Sequence, residues 1–343
     1  MTDIRRRNAL GLLAGGVALL AGCSSSSEGN GNGDDTTSNN GASDLTDGSL
    51  PPYASMLPTT EQSASFYGAI DIRTMSTVIN DEGAEAGTEP TDPLVGNPVV
   101  VALLCSFGLG QLADSAGFDA YTDNNETGDS EEQFVYVDGV YALVGSYDRD
   151  GITSTLETTG YSLETEGDGY AVYADGGSDE IVGVTDDVYA YSYPNGGDSS
   201  FDPVAAVERT VATTAGERAP KHEADDDFEE LLRAGNNSGI VCCLYTDDDA
   251  FTSETLAADQ ASDTDSLQFD FGAFEGAYGV YQSLSVAGAT ATARAIVSYS
   301  SNDVVDEGRL ESSLGTEANT ATVDRAETTV TVDAEYGGEF ARE

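Results

Sequence analysis

The stretch that decides the fold is FVYVDGVYALV, residues 134–144. Two runs rich in β-branched and aromatic residues flank Asp138-Gly139. Asp-Gly accepts the positive φ angles of a type I′ turn, the two-residue loop that joins antiparallel strands. The stretch therefore predicts a β-hairpin, and with it an antiparallel sheet.

Strand and helix signals alternate on both sides of this hairpin. Further strands are predicted at Ala64–Ile72, 161–166, 169–174, 180–185, 188–193, Gly239–Tyr245, Tyr278–Val286, Thr290–Tyr299, Asn319–Val323 and Thr328–Asp333. Helices are predicted at Val99–Leu112, Asp148–Thr159, after Asp202-Pro203, around Phe228 and at Val304–Leu314. Pro98 would be the first residue of the Val99–Leu112 helix, and a buried strand is the alternative there. The acidic segments 80–93 and 119–132 are predicted to be loops.

Two parts of the chain show the same order of elements. Val140–Gly177 and Ala293–Gly338 each run from a strand through Ser-Tyr, an acidic helix start, a glycine and two strands to Gly-Gly. The order predicts an α+β fold of antiparallel sheets covered by short helices, built as a degenerate tandem duplication with modules 51–236 and 237–343. The alternative is that a similar order of elements occurs in any α+β chain without a duplication.

The charge of the chain excludes one class of partner. Its 343 residues include 13 Lys+Arg against 62 Asp+Glu, a formal net charge of −49, and Lys221 is the one lysine. Nucleic-acid binding needs clustered basic residues, so we expect no nucleic-acid partner. Loosely bound cations are the partners that such an acidic surface favours. The hydrophobic content of 39% is enough for a sizeable core.

The N-terminal residues predict an export signal at 1–22. A basic start is followed by the apolar stretch Ala9–Gly22, whose 14 residues are shorter than the ~20 of a membrane-spanning helix. Arg6 and Arg7, with apolar residues after them, resemble the twin-arginine export motif. A Sec-type signal with three arginines is the alternative.

The end of this signal matches the lipobox of bacterial and archaeal lipoproteins. Leu20, Ala21 and Gly22 precede Cys23, which would become the lipidated N-terminus and link the protein to the membrane. Residues 23–50 are mostly Ser, Gly, Asn, Asp and Thr, typical of a flexible tether spanning roughly 30 Å. We expect a protein anchored by lipid at the extracytoplasmic face of the cell membrane.

Together, the twin-arginine motif, the lipobox and the acidic, lysine-poor composition resemble the surface lipoproteins of haloarchaea. The resemblance covers the first 23 residues and the bulk composition. It implies a halophilic protein in molar salt, where the Debye length is about 3 Å. It also implies export of a chain that has already folded.

A search for chemistry assigns no catalytic residue, no metal site and no cofactor. The one histidine, His222, adjoins Lys221 in a polar connection, and a solvated loop histidine is favoured over a catalytic base. No nucleophile elbow, phosphate-binding loop or zinc motif occurs. The segment from Asp123 starts like an EF-hand loop but has Phe134 where the last ligand should be. The acidic runs 225–227 and 247–249 are interpreted as solvated charge, with loose Ca²⁺ binding as the alternative.

Three cysteines remain after lipidation of Cys23. Export to an oxidising face allows a disulfide of Cys105 with Cys242 or Cys243, which as neighbours on a strand would point to opposite faces. The apolar flanks Leu103-Leu104 and Ile240-Val241 favour instead the burial of all three as small hydrophobic residues. Asn125 and Asn236 begin N-glycosylation sequons.

These observations favour a non-enzymatic surface protein that binds an unknown envelope partner. The first alternative is a solute- or cation-binding lipoprotein of a transport system, and the second is an exported carboxylate-based hydrolase. The solute-binding alternative needs a deep cleft between the two halves, and a closed interface without a cleft would exclude both alternatives. A pocket with two close acids of strongly raised pKa would favour the hydrolase.

Overall fold

The structure is a computed structural model that describes residues 48–72, 74, 90–128, 132–193, 201–235, 239–258, 268–287 and 290–337. The predicted signal peptide 1–22, with Arg6, Arg7 and the lipobox, lies outside the described residues. The same holds for Cys23, for most of the tether and for Asn236.

The described strands form one sheet of twelve, in the order β11-β12-β10-β9-β8-β1-β2-β3-β7-β6-β5-β4. Every neighbouring pair is antiparallel. Their bounds are β1 Ala64–Asp71, β2 Gln133–Val137, β3 Val140–Val144, β4 Tyr161–Gly167, β5 Tyr170–Asp175, β6 Ile181–Val184, β7 Val188–Ser192, β8 Ile240–Thr246, β9 Gly279–Ala287, β10 Thr290–Ser298, β11 Thr320–Ala326 and β12 Thr329–Tyr336.

Short helices cover the sheet, and the predicted α+β class is confirmed, with one large sheet where several were expected. The α-helices of the described residues are α1 Pro93–Ala113, α2 Phe118–Asp123, α3 Arg149–Thr159, α4 Pro203–Thr214, α5 Lys221–Ala224, α6 Asp226–Ala234, α7 Ser253–Ala258 and α8 Glu307–Ser313. Two 3₁₀ turns are Pro52–Met56 and Gly272–Phe274.

The predicted hairpin is β2–β3. Its turn residues Asp138 and Gly139 have φ angles of 45° and 89°, as a type I′ turn requires, and Val137 pairs with Val140. The next helix also follows its sequence signals. The Asp148 side chain accepts the Gly151 N–H at the start of α3, and Gly160 ends that helix at a φ of 103°.

The strand order repeats outward from the central pair β1–β8. On one side β8, β9 and β10 lie side by side, and β12 returns to β10 after helix α8. On the other side β1, β2 and β3 lie side by side, and β7 returns to β3. This repetition is the pattern that a tandem duplication predicts, while the module bounds 51–236 and 237–343 stay a prediction. Seven residue pairs join β1 to β8, so the sheet is continuous across the two halves.

Helix α1 starts earlier than the sequence predicts. Asp92 caps it by accepting the Leu94 N–H, and Pro93 is its first residue, so Pro98 lies inside the helix and the predicted start is wrong. By length and composition α1 could cross a membrane, but its apolar window is 72% buried in the structure, where it packs on the central strands. Its role here is that of a core helix.

The predicted loop 119–132 is partly helical. Ala120 is fully buried, and the Tyr121 ring lies 5.4 Å from that of Tyr189 and 6.2 Å from that of Tyr147. These apolar anchors form the short helix α2 despite the acidic composition around them. Distant packing therefore overrides local polarity at this segment.

Cys105, Cys242 and Cys243 are free, buried thiols, so the favoured interpretation as small hydrophobic residues is confirmed and the possible disulfide is absent. As predicted for neighbours on a strand, Cys242 and Cys243 belong to the hydrophobic clusters on opposite faces of β8. Cys105 lies in the same cluster as Cys242. Burial raises the pKa of the Cys243 thiol to about 12, so these cysteines behave as small hydrophobic residues.

Candidate functional site

The segment around Lys221 and His222 is not the solvated loop that the sequence predicts. Both residues lie on helix α5 and are buried, with 3% and 9% of their surface exposed. The Lys221 N–H donates to the Leu57 carbonyl at 2.9 Å, and the His222 Nδ1 atom lies 3.2 Å from the Ala54 carbonyl. The 3₁₀ turn near the N-terminal end of the described chain therefore packs against α5 and covers it.

Lys221 sits in an acidic and aromatic enclosure. Its Nζ atom lies 2.6 Å from the Asp247 carboxylate and 3.8 Å from that of Asp225. The same atom lies 4.9 Å from the centre of the Tyr245 ring and 5.6 Å from that of Phe228. The ammonium thus has two ion pairs and two cation–π contacts, which compensate for its loss of water.

Asp225 joins this enclosure to helix α6. Its carboxylate caps the helix by accepting the Asp227 and Phe228 N–H groups at 3.1 Å. It also accepts the Tyr245 hydroxyl at 2.8–2.9 Å. One carboxylate therefore fixes the helix start, a strand tyrosine and the lysine together.

Around the lysine lies a cavity of about 650 Å³, which brings together the two acidic runs that are far apart in sequence. Its walls are Thr59, Lys221, Ala224, Asp225, Asp227, Tyr245, Thr246, Asp247, Asp248, Asp249, Tyr278, Tyr299, Ser300 and Thr328. Five aspartates and one lysine give this lining a formal charge of −4. We call the cavity with these lining residues the acidic pocket.

Backbone hydrogen bonds hold the Asp247–Asp249 wall in place. The Asp247 N–H donates to the Ser63 carbonyl at 2.7 Å, and the Thr246 hydroxyl donates to the same carbonyl at 3.0 Å. The Asp248 N–H then donates to the Thr246 hydroxyl at 3.2 Å. The acidic turn is therefore positioned before any ligand arrives.

The tyrosines of the acidic pocket stay neutral hydroxyl donors. Burial is the main cause that raises the pKa of Tyr245 and of Tyr278, and it raises the pKa of Tyr299 to about 12. Within the described part of the chain, no three His, Cys, Asp or Glu side chains converge closely enough to hold a metal ion. The acidic pocket can therefore offer dispersed carboxylates, hydroxyls and aromatic faces.

Three buried carboxylates outside the acidic pocket are bound by tyrosines. Glu180 accepts the hydroxyls of Tyr161 and Tyr193, and burial raises its pKa. Glu132 accepts the hydroxyls of Tyr121 at 3.0 Å and Tyr147 at 2.7 Å, and Asp92 accepts that of Tyr336 at 2.8 Å. Sequence reasoning missed these pairs, although 17 tyrosines beside so few cations were a compositional hint.

The Asn125 sequon takes part in one of these networks. The Asn125 side-chain N–H₂ donates to Tyr121 at 3.2 Å and to Glu132 at 3.0 Å, and its oxygen accepts the Thr127 N–H. A sugar on this nitrogen would break the first two bonds. The folded geometry therefore opposes glycosylation at Asn125.

Comparisons with known proteins find distant structural likeness and no family. No family model matches it, and no curated protein matches it. Among solved structures, "Structure of crystal form I of TP0453" has a TM-score of 0.41 at 9% identity, covering 85% of this chain and 95% of that one. Crystal form III of TP0453 has a TM-score of 0.38 at 10% identity, covering 85% and 96%. Likeness at this level carries no argument about function.

Proposed function

We propose that this protein is a lipid-anchored, extracytoplasmic surface protein with a non-enzymatic binding role, and that the acidic pocket is its binding site. The observation that carries the proposal is the acidic pocket itself. It is concave, its size falls within the ~300–1,000 Å³ of small-molecule sites, and its walls are prepositioned. The signal, the lipobox and the tether support the location.

The acidic pocket is lined by residues of both predicted modules, Asp225 and Asp227 from 51–236 and Asp247 to Asp249 from 237–343. A cavity between the modules supports the solute- or cation-binding role, the first alternative, over capture of a protein partner. A pocket with a formal charge of −4 selects cationic ligands and repels anions. The hydrolase alternative has no such support. Among the described acids, Glu180 and Asp138 have a raised pKa, and neither lines the acidic pocket.

The anchor is tested by Cys23→Ser in the native host or a close relative. We expect the variant to move from the membrane fraction to the soluble fraction, because the thiol that would carry the lipid is gone. Ser24→Ala is the matched control, since it changes the neighbouring residue and keeps the thiol. Retention of Cys23→Ser in the membrane fraction would refute the anchor.

A further inference from the structure

We propose that the acidic pocket binds an extended organic polycation, a linear di- or polyamine. The inference rests on the proposed binding function and names its ligand class. The first argument is the ammonium that the site already holds. The side chain of Lys221 is only 4% exposed, and its charge is held by carboxylate and aromatic contacts, so these walls are shown to accept a primary ammonium.

The second argument is the charge that Lys221 leaves uncompensated. Its ammonium contacts Asp225 and Asp247. Within the described residues no ion pair reaches Asp227, Asp248 or Asp249, which are exposed on the pocket walls. Three negative charges therefore remain available to a ligand.

The third argument is the spacing of these charges, which separates a polyamine from a metal ion. Asp227 lies in the first turn of α6, whereas Asp248 and Asp249 lie in the turn after β8. No described group of three such ligands converges on one point. A single metal ion can contact only some of these three carboxylates, while a chain of ammonium groups can contact Asp227 on one wall and Asp248 and Asp249 on the other.

The fourth argument concerns the part of the ligand between its charges. The Tyr278 and Tyr299 rings line the same cavity, and burial keeps their hydroxyls protonated. Aromatic faces accept both methylene groups and cations. The acidic pocket thus combines carboxylates with aromatic side chains in one lining, which matches the ammonium and alkyl groups of a polyamine.

The test is isothermal titration calorimetry of spermidine into the full-length chain in detergent at fixed ionic strength. We expect saturable binding at one site, weakened at least tenfold by the double variant Asp248→Asn/Asp249→Asn. The matched control is Asp186→Asn/Asp187→Asn, which neutralises an adjacent exposed pair outside the acidic pocket and should change the affinity less than twofold.

Three results would overturn the proposal. They are no saturable spermidine binding by the native chain, equal weakening by both double variants, and tighter binding of Ca²⁺ than of spermidine at the same ionic strength. Circular dichroism of each variant establishes that it is folded before titration. Failure here leaves the anchor intact, because Cys23→Ser is scored by fractionation and not by ligand binding.

Discussion

Replacement of Lys221 by methionine tests whether the buried ammonium holds the acidic pocket together. Methionine keeps an unbranched, apolar stem over the Tyr245 and Phe228 rings, so the packing changes little and the charge is lost. Asp225 and Asp247 then face each other and their acidic neighbours without a counter-charge. We expect the folded state to lose stability for this electrostatic reason.

The magnitude follows from burial. Removal of one partner from a fully buried ion pair costs about 3–5 kcal/mol. Here the lysine side chain is 4% exposed, but those of Asp225 and Asp247 are 24% and 43% exposed, so water stabilises the carboxylates left behind. With loss of the cation–π contacts, we expect Lys221→Met to lower the free energy of unfolding by about 2–3 kcal/mol.

The assay is urea unfolding followed by tyrosine fluorescence, which suits a chain with 17 Tyr and no Trp, at one fixed salt concentration. Arg233→Met is the matched control, because it breaks the Arg233–Glu229 pair on the neighbouring helix, where each side chain is 33% exposed. This half-buried pair, together with the hydrogen bond that Arg233 donates to the Gly48 carbonyl at 3.1 Å, should contribute about 1 kcal/mol. If Lys221→Met costs no more than Arg233→Met, the ammonium does not hold the site and the reasoning fails.

Three further predictions concern the rest of the fold. Burial raises the pKa of Asp138 to about 6, so native stability should fall as the pH rises from about 4 to 6. Asp138→Asn, which keeps the acceptor for the Phe66 N–H, should abolish that fall of about 1–2 kcal/mol, as measured by urea unfolding across this pH range. Gly68→Ala would place a Cβ 2.4 Å from the Val101 Cγ1 atom and should lower the free energy of unfolding by about 1–3 kcal/mol. Gly110 has open space around it, so Gly110→Ala should raise the free energy of unfolding by about 0.5–1 kcal/mol. The thermal unfolding midpoint should therefore fall for Gly68→Ala and rise for Gly110→Ala. The three buried thiols should not react with Ellman's reagent until urea unfolds the chain, and fast labelling of the native protein would contradict their burial.

Local turn and cap chemistry made much of the fold predictable. The Asp138-Gly139 turn and the Asp148 and Gly160 ends of α3 are set by residues a few positions apart, so the sequence carries their full signal. The start of α1 had a signal too. Its Asp92-Pro93 pair is the same motif that correctly predicts α4 at Asp202-Pro203, but the prediction used the later Pro98 and placed the start five residues too far along the chain.

The acidic pocket could not be predicted, because its contacts join distant parts of the chain. Lys221 is surrounded by polar residues in sequence, and its burial depends on the Leu57 carbonyl and on Asp247, which lies 26 residues away. In the sequence, the aspartate runs 225–227 and 247–249 are typical of solvated charge. Only the packing of β8 and α6 places them at one cavity. Nothing in either run alone carries that information.

The position of the one lysine has an electrostatic explanation. Elsewhere among the described residues, the buried carboxylates Glu132, Glu180 and Asp92 are satisfied by neutral donors, which are tyrosine hydroxyls, the Asn125 amide and backbone N–H groups. At the acidic pocket, five aspartates line one cavity, and neutral donors cannot offset their mutual repulsion. A compact ammonium can contact Asp225 and Asp247 and still lie over two rings. In the molar salt that the haloarchaeal resemblance implies, a Debye length of about 3 Å would screen repulsion between the exposed carboxylates but leave the 2.6 Å contact of Lys221 with Asp247 effective.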